Sequence, residues 1–176
     1  MTRSALLLRA VNVSGHNRVP MARLREVLAE ETDLTEISTY IASGNIICDM
    51  PADAAASCAL VQKVIAAEFD VDTPVIARTH DELVASLAAQ PFGDGVDKYV
   101  HAMFLAGAPG AGAVETLEQR LVPGERLALI GNDLWIDYAS GVQGTKLTKA
   151  AFDRALGVDG TARNLRTVRK LAALTA

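Results

Sequence analysis

The stretch that most constrains the fold runs from Leu6 to Pro20 and reads Leu-Leu-Leu-Arg-Ala-Val-Asn-Val-Ser-Gly-His-Asn-Arg-Val-Pro. It opens apolar, turns polar, and ends at a proline. Ala5 to Val11 is short, apolar and followed by polar loop, so it reads as a first strand. Pro20 suits the first turn of a helix, where its missing N–H would be unpaired anyway. Arg9 and Asn12 stand near the end of the apolar run, where polar atoms buried without partners are costly. Protein groups or a ligand must satisfy them. This loop is therefore expected to form one wall of a binding site.

The residues that follow set the fold class. Met21, Leu24, Val27 and Leu28 share one helical face, with Arg23, Arg25, Glu26 and Glu30 on the other. Glu36 to Ala42 and Asn45 to Asp49 are β-rich runs joined at Ser43-Gly44, which reads as a tight hairpin. Asp53 is a candidate N-cap for a helix reaching about Phe69. Thr73 to Arg78 is a fourth strand, and its early Pro74 favours a sheet edge. The order is βαββαβ, which predicts an α+β protein whose N-terminal half is a ferredoxin-like α/β plait.

A helix over Thr79 to Gln90 follows, and Pro91-Phe92-Gly93-Asp94-Gly95 marks the expected boundary. This divides the chain into residues 1–90, the plait with a following helix, and residues 96–176, a second α+β half packed against it. In the second half Lys98 to Leu105 reads as a strand and Val114 to Leu121 as a helix. Arg126 to Ile130 and Asp133 to Tyr138 form a hairpin turned at Gly131-Asn132. Helices are expected from about Lys146 to Leu156 and from Ala162 to Leu174.

Composition narrows the function classes. The 176 residues are half hydrophobic and carry a net charge of -4, with eight aromatic residues (one Trp, three Tyr, four Phe). Such a chain is not built as a whole to coat nucleic acid. Cys48 and Cys58 are the only cysteines, which suggests neither a disulfide framework nor a zinc site and makes a reducing cytoplasm the expected location. No apolar run is long enough to span a bilayer, so no membrane partner is expected.

Familiar catalytic patterns are missing. His16, His80 and His101 have no companions at metal-ligand spacing, so no metal and no cofactor are expected. His16 shares the polar loop with Asn17 and Arg18. Gly107 to Gly112 fits neither dinucleotide nor P-loop patterns and reads as a flexible connection. No G-x-S-x-G elbow or Cys/His signature occurs, and the catalytic residues stay unknown. Cys48 and Cys58 read as small buried hydrophobes.

The C-terminal segment is more telling. From Thr161 onward the chain has Arg163, Arg166, Arg169 and Lys170 and no acidic residue. With a helix starting at Ala162, Arg163 and Asn164 fall in its first turn, beside free backbone N–H groups able to hold an anion.

Several groups together resemble the bacterial domain-of-unknown-function family 1697. They are Leu8-Arg9-Ala-Val-Asn12-Val, Val19-Pro20-Met21 with Leu24-Arg25, Tyr40-Ile41-Ala42-Ser43-Gly44-Asn45, Gly144-Thr-Lys146-Leu147-Thr148 and Thr161-Ala162-Arg163-Asn164. The likeness spans nearly the whole chain. Three positions depart: Ala10 where members usually have Gly, Ala42 where they usually have Gln, and Leu165 where they often have Trp. The resemblance implies the plait and a second α+β part, and it implies no activity.

The residues collected by these readings are Arg9, Asn12, Arg18, Ser43, Gly44, Asn45, Lys146, Arg163 and Asn164. Their donors suit a small phosphate- or carboxylate-bearing ligand held in a cleft between the halves. Two alternatives stand beside this expectation. One is a nucleic-acid-associated protein using the basic C-terminal helix. The other is a structural or oligomeric module in which these groups only tie the protein together. The oligomeric state is left open.

Overall fold

The computed structural model describes residues 1–176 and contains six helices and two antiparallel four-stranded sheets. The elements are β1 (Thr2–Leu8), α1 (Met21–Glu31), β2 (Thr35–Tyr40), β3 (Asn45–Met50), α2 (Ala54–Phe69), β4 (Val75–Thr79), α3 (His80–Ala89), β5 (Val100–Leu105), α4 (Ala113–Glu118), β6 (Arg126–Ile130), β7 (Asp133–Asp137), α5 (Lys149–Leu156), β8 (Gly160–Asn164) and α6 (Leu165–Leu174). Two compact units result: Met1–Leu83 together with Leu171–Ala176, and Val84–Lys170. The Pro91–Gly95 segment lies inside the second unit, where Gly95 N–H donates to Phe92 O at 2.9 Å.

In the first unit the strand order is β2-β3-β1-β4. β1 runs antiparallel to β3, with Leu7 opposite Asn45, and antiparallel to β4, with Leu8 opposite Val75. Pro74 precedes β4, which is an edge strand, as its lost donor requires. The core is built by period. Leu6 and Leu8, two apart on β1, share a cluster with Ile46 and Cys48 of β3, Leu24 and Leu28 of α1, and Val61 and Ile65 of α2. Each aliphatic side chain so buried stabilises the unit by about 1.5–3 kcal/mol. Asp53 caps α2, accepting from Ala56 N–H at 2.9 Å. The C-terminal residues belong here too: His80 Nδ1 lies 3.1 Å from Ala172 O and 3.2 Å from Thr175 Oγ1.

The second unit has the order β6-β7-β5-β8. Its core cluster includes Met103 and Leu105 of β5, Leu117 of α4, Leu134 and Ile136 of β7, and Phe152 and Leu156 of α5.

Several boundaries differ from the sequence reading. β1 ends at Leu8, so Arg9 and Asn12 belong to the loop. The β2–β3 turn covers residues 41–44 instead of two residues, with Ile41 at φ +49° and Gly44 at φ +88°. Helix α5 starts at Lys149 because Thr148 caps it by accepting from Ala151 N–H at 3.2 Å, which leaves Lys146 in the preceding loop. The largest correction is at the C-terminus. Gly160–Asn164 is a strand paired with β5, and the last helix starts only at Leu165. Arg163 is therefore not in a helical first turn. The alternation Gly160, Thr161, Ala162 was too short to show a strand beside the strong helical period that follows.

Candidate functional site

The polar loop after β1 is held in place by side-chain amides. Asn12 Nδ2 donates to Val19 O at 2.9 Å and to Ala42 O at 2.8 Å, while its Oδ1 accepts from Val19 N–H at 2.8 Å. Asn17 Nδ2 donates to Ala10 O at 3.0 Å, and Asn12 N–H donates to Asn17 O at 2.9 Å. At the loop's start Thr73, itself buried, uses one hydroxyl twice: it accepts from Arg9 N–H at 2.9 Å and donates to Arg9 O at 2.8 Å.

The backbone held this way is strained. Ala10, Asn12, Ser14 and Asn17 have φ of +53°, +54°, +50° and +52°. Asn accepts this conformation better than Ala or Ser, which helps explain the two asparagines. Left-handed non-glycine residues cost roughly 1–2 kcal/mol each and persist only where surrounding contacts fix them. The Asn12 clasp supplies such contacts.

The 41–44 turn meets this loop. Leu8 N–H donates to Gly44 O at 2.9 Å. A Cβ on Gly44 would lie 2.8 Å from Leu8 Cβ and 2.9 Å from Val11 Cγ2, so only glycine fits between the two segments. The antiparallel register of β1 with β3 sets the end of β1 beside residues 43–45.

The expected binding residues separate into two groups. Asn12 spends both amide protons and its oxygen on backbone groups, and Asn45 is fully buried with its Nδ2 donating to Tyr40 O and Ser43 Oγ. Both work as positioning residues. Arg18 and Ser43 are exposed, and Arg9 is half-buried. Helix α1 begins at the loop's far end. Its N-cap is Pro20, which makes no side-chain capping bond, and no acidic residue lies in its first turn. The chain carries five arginines before its first acidic residue, Glu26.

In the second unit Lys146 is exposed in the loop before α5. Arg163 is buried, and Nη1 donates to Thr161 Oγ1 at 2.8 Å and to Ala162 O at 2.9 Å. Burial pushes its guanidinium pKa down to about 10. Asn164 is the N-cap of α6, accepting from Thr167 N–H at 3.0 Å. On the same helix Arg169 is paired with Asp97, which leaves Arg166 and Lys170 as its exposed cations without an ion pair.

Residues whose roles the sequence did not show include Thr73, which holds Arg9 through its hydroxyl, and Ile41, which takes a left-handed φ in the turn. His101 and Tyr138 are a further pair, their rings edge to face at 5.1 Å. Burial lowers the His101 pKa, and burial with the nearby Glu125 charge pushes Tyr138 up to about 12.

The profile of the family described as "Protein of unknown function (DUF1697)" matches residues 1–135. The chain belongs to this family. A conserved bacterial protein from Streptococcus pneumoniae has a similar solved structure, with a TM-score of 0.81, 23% sequence identity and 99% of each chain covered. At that identity the likeness speaks for the fold alone. No protein of curated function matches the chain. The family match takes in the Asn12 loop, the 41–44 turn and Thr73, and stops before Lys146 and Arg163. No helix is long and apolar enough to cross a membrane.

Proposed function

We propose that the loop edge of the first unit binds a small anionic molecule bearing a phosphate or carboxylate. The observation that carries this reading is the uncapped N-terminus of α1, set at the end of a rigidly clasped loop that bears Arg9 and Arg18. Backbone N–H groups at a helix start, the positive end of its dipole and guanidinium donors all favour an anion. No acidic residue stands in the sequence before Glu26, so the loop and the first turn of α1 carry no negative side chain of their own. Strain in the loop adds support, since such conformations gather at functional sites.

The strand order β2-β3-β1-β4 with helices after β1 and β3 supports reading this unit as a ferredoxin-like plait. Two free cysteines favour a reducing, cytoplasmic setting. A structural role is the second reading, favoured by the inward-turned amides of Asn12 and Asn45.

Calorimetric titration with pyrophosphate tests the proposal. Saturable binding is expected, weakened roughly tenfold or more by Arg18→Ala, the loss of one charge-assisted contact, and unchanged by Arg169→Ala. Absence of binding to both pyrophosphate and citrate would sink it.

A further inference from the structure

The two sheets have four edge strands, and three of them carry a feature that discourages pairing with another chain. β2 is bulged between Thr35 and Ser38, with Glu36 at φ +49°. β4 follows Pro74 and bears Arg78. β8 carries the buried charge of Arg163. Bulges, prolines and edge or inward charges are the usual means of blunting a sheet edge. β6 differs. It reads Arg126-Leu-Ala-Leu-Ile, pairs in unbroken register with β7 alone, and has neither proline nor bulge. Its one charge sits at the end and is bound by Asp137 and Asp94.

The hairpin fixes which backbone groups face outward. Its two-residue loop, Gly131-Asn132, starts with Gly131 at φ +61°, the place where a type II′ turn takes glycine. Such a loop closes on a hydrogen-bonded pair, here Ile130 and Asp133. Alternation then makes Ala128–Trp135 and Arg126–Asp137 the next hydrogen-bonded pairs. Leu127 and Leu129 therefore turn their N–H and C=O groups away from β7.

We infer that β6 pairs antiparallel with β6 of a second copy of this chain, about a two-fold axis at Ala128. The occupant is a second copy because this edge is complementary to itself. A two-fold at Ala128 sets Leu127 opposite Leu129 of the second copy, and the reverse, so the four outward donors and acceptors on each side meet in register. Ala128 meets Ala128, a pair small enough for close approach at the axis. No like charges oppose. Arg126 shares a cross-sheet row with Ile130 of the second copy and, one strand further, with its Asp133, so opposite charges lie along that row twice. The pairing is closed, because each copy spends its single β6 edge.

Five residues of strand bury less than the roughly 1,200 Å² of a standard interface, so the dimer forms as concentration rises, with half-association on the order of 0.1 mM. Sedimentation velocity across a concentration series should show it. Leu129→Pro removes an outward N–H at a position where an edge tolerates proline, and should weaken association about tenfold or more, since two hydrogen bonds per dimer are lost. Should that variant fail to fold, a cysteine at the axis decides. In a Cys58→Ala background, Ala128→Cys places two Cα atoms roughly 4.5 Å apart, within disulfide range, and should cross-link under mild oxidation. Ala150→Cys, exposed on α5, should not. A chain monomeric at every concentration, a dimer indifferent to Leu129→Pro, or cross-linking no faster at residue 128 than at residue 150 would each overturn the inference.

Discussion

Asn12 Nδ2 donates to Ala42 O across 2.8 Å, joining two loops thirty positions apart in the chain. The same amide closes on Val19 in both directions. One side chain thus sets the shape of the loop and its place against the β2–β3 turn. Asn12→Ala is expected to destabilise the first unit by about 2–3 kcal/mol, the sum of three modest hydrogen bonds. Asn12→Asp keeps the acceptor for Val19 N–H and loses both donors, so it should fall between the two. Denaturant unfolding of the three proteins checks the order.

Ala10 offers the opposite change. It holds φ at +53°, a conformation that glycine adopts freely. Ala10→Gly should raise stability by about 1 kcal/mol, or about 2–4 °C in Tm. A fall in Tm on calorimetric melting would show that the loop's strain lies elsewhere.

Alkaline pH should loosen the fold. Burial pushes the Cys48 thiol from its ordinary 9.0 up to about 12, and Tyr138 rises from 10.0 to about 12. Both folded values lie above the unfolded ones, so the folded state holds these protons more tightly. Stability from this source is complete below about pH 9 and is lost as pH rises toward 12. Unfolding free energy measured from pH 8 to about pH 11 should decline, and Cys48→Ala should flatten the decline while lowering stability at neutral pH. An unchanged slope in that variant would count against the thiol.

The start of α6 gives a local test. Asn164→Ala removes the acceptor for Thr167 N–H and should cost about 1 kcal/mol, whereas Asn164→Asp keeps an acceptor and should cost less. If Asn164 instead acted only through a ligand, neither variant would shift the melting of the ligand-free protein.

What the sequence determined by itself was the order of elements and the meeting of two distant segments. A short apolar run marks Leu6 and Leu8, helical spacing marks Leu24, Val27 and Leu28, and these five residues lie in the core. The βαββαβ order, with β3 antiparallel to β1, brings the end of β1 to the start of β3. Local pattern was enough for the elements because each is written within its own stretch, and their order then sets which ends meet. Tertiary structure alone decided the rest. Arg163 reads as helical beside Leu165 and Val168, and pairing with β5 overrides that local preference. The amides of Asn12 and Asn45 read as ligand donors, and backbone carbonyls from other segments take them. Whether a polar side chain serves the protein or a ligand depends on which carbonyls lie within 3 Å, and those come from segments far away in the chain.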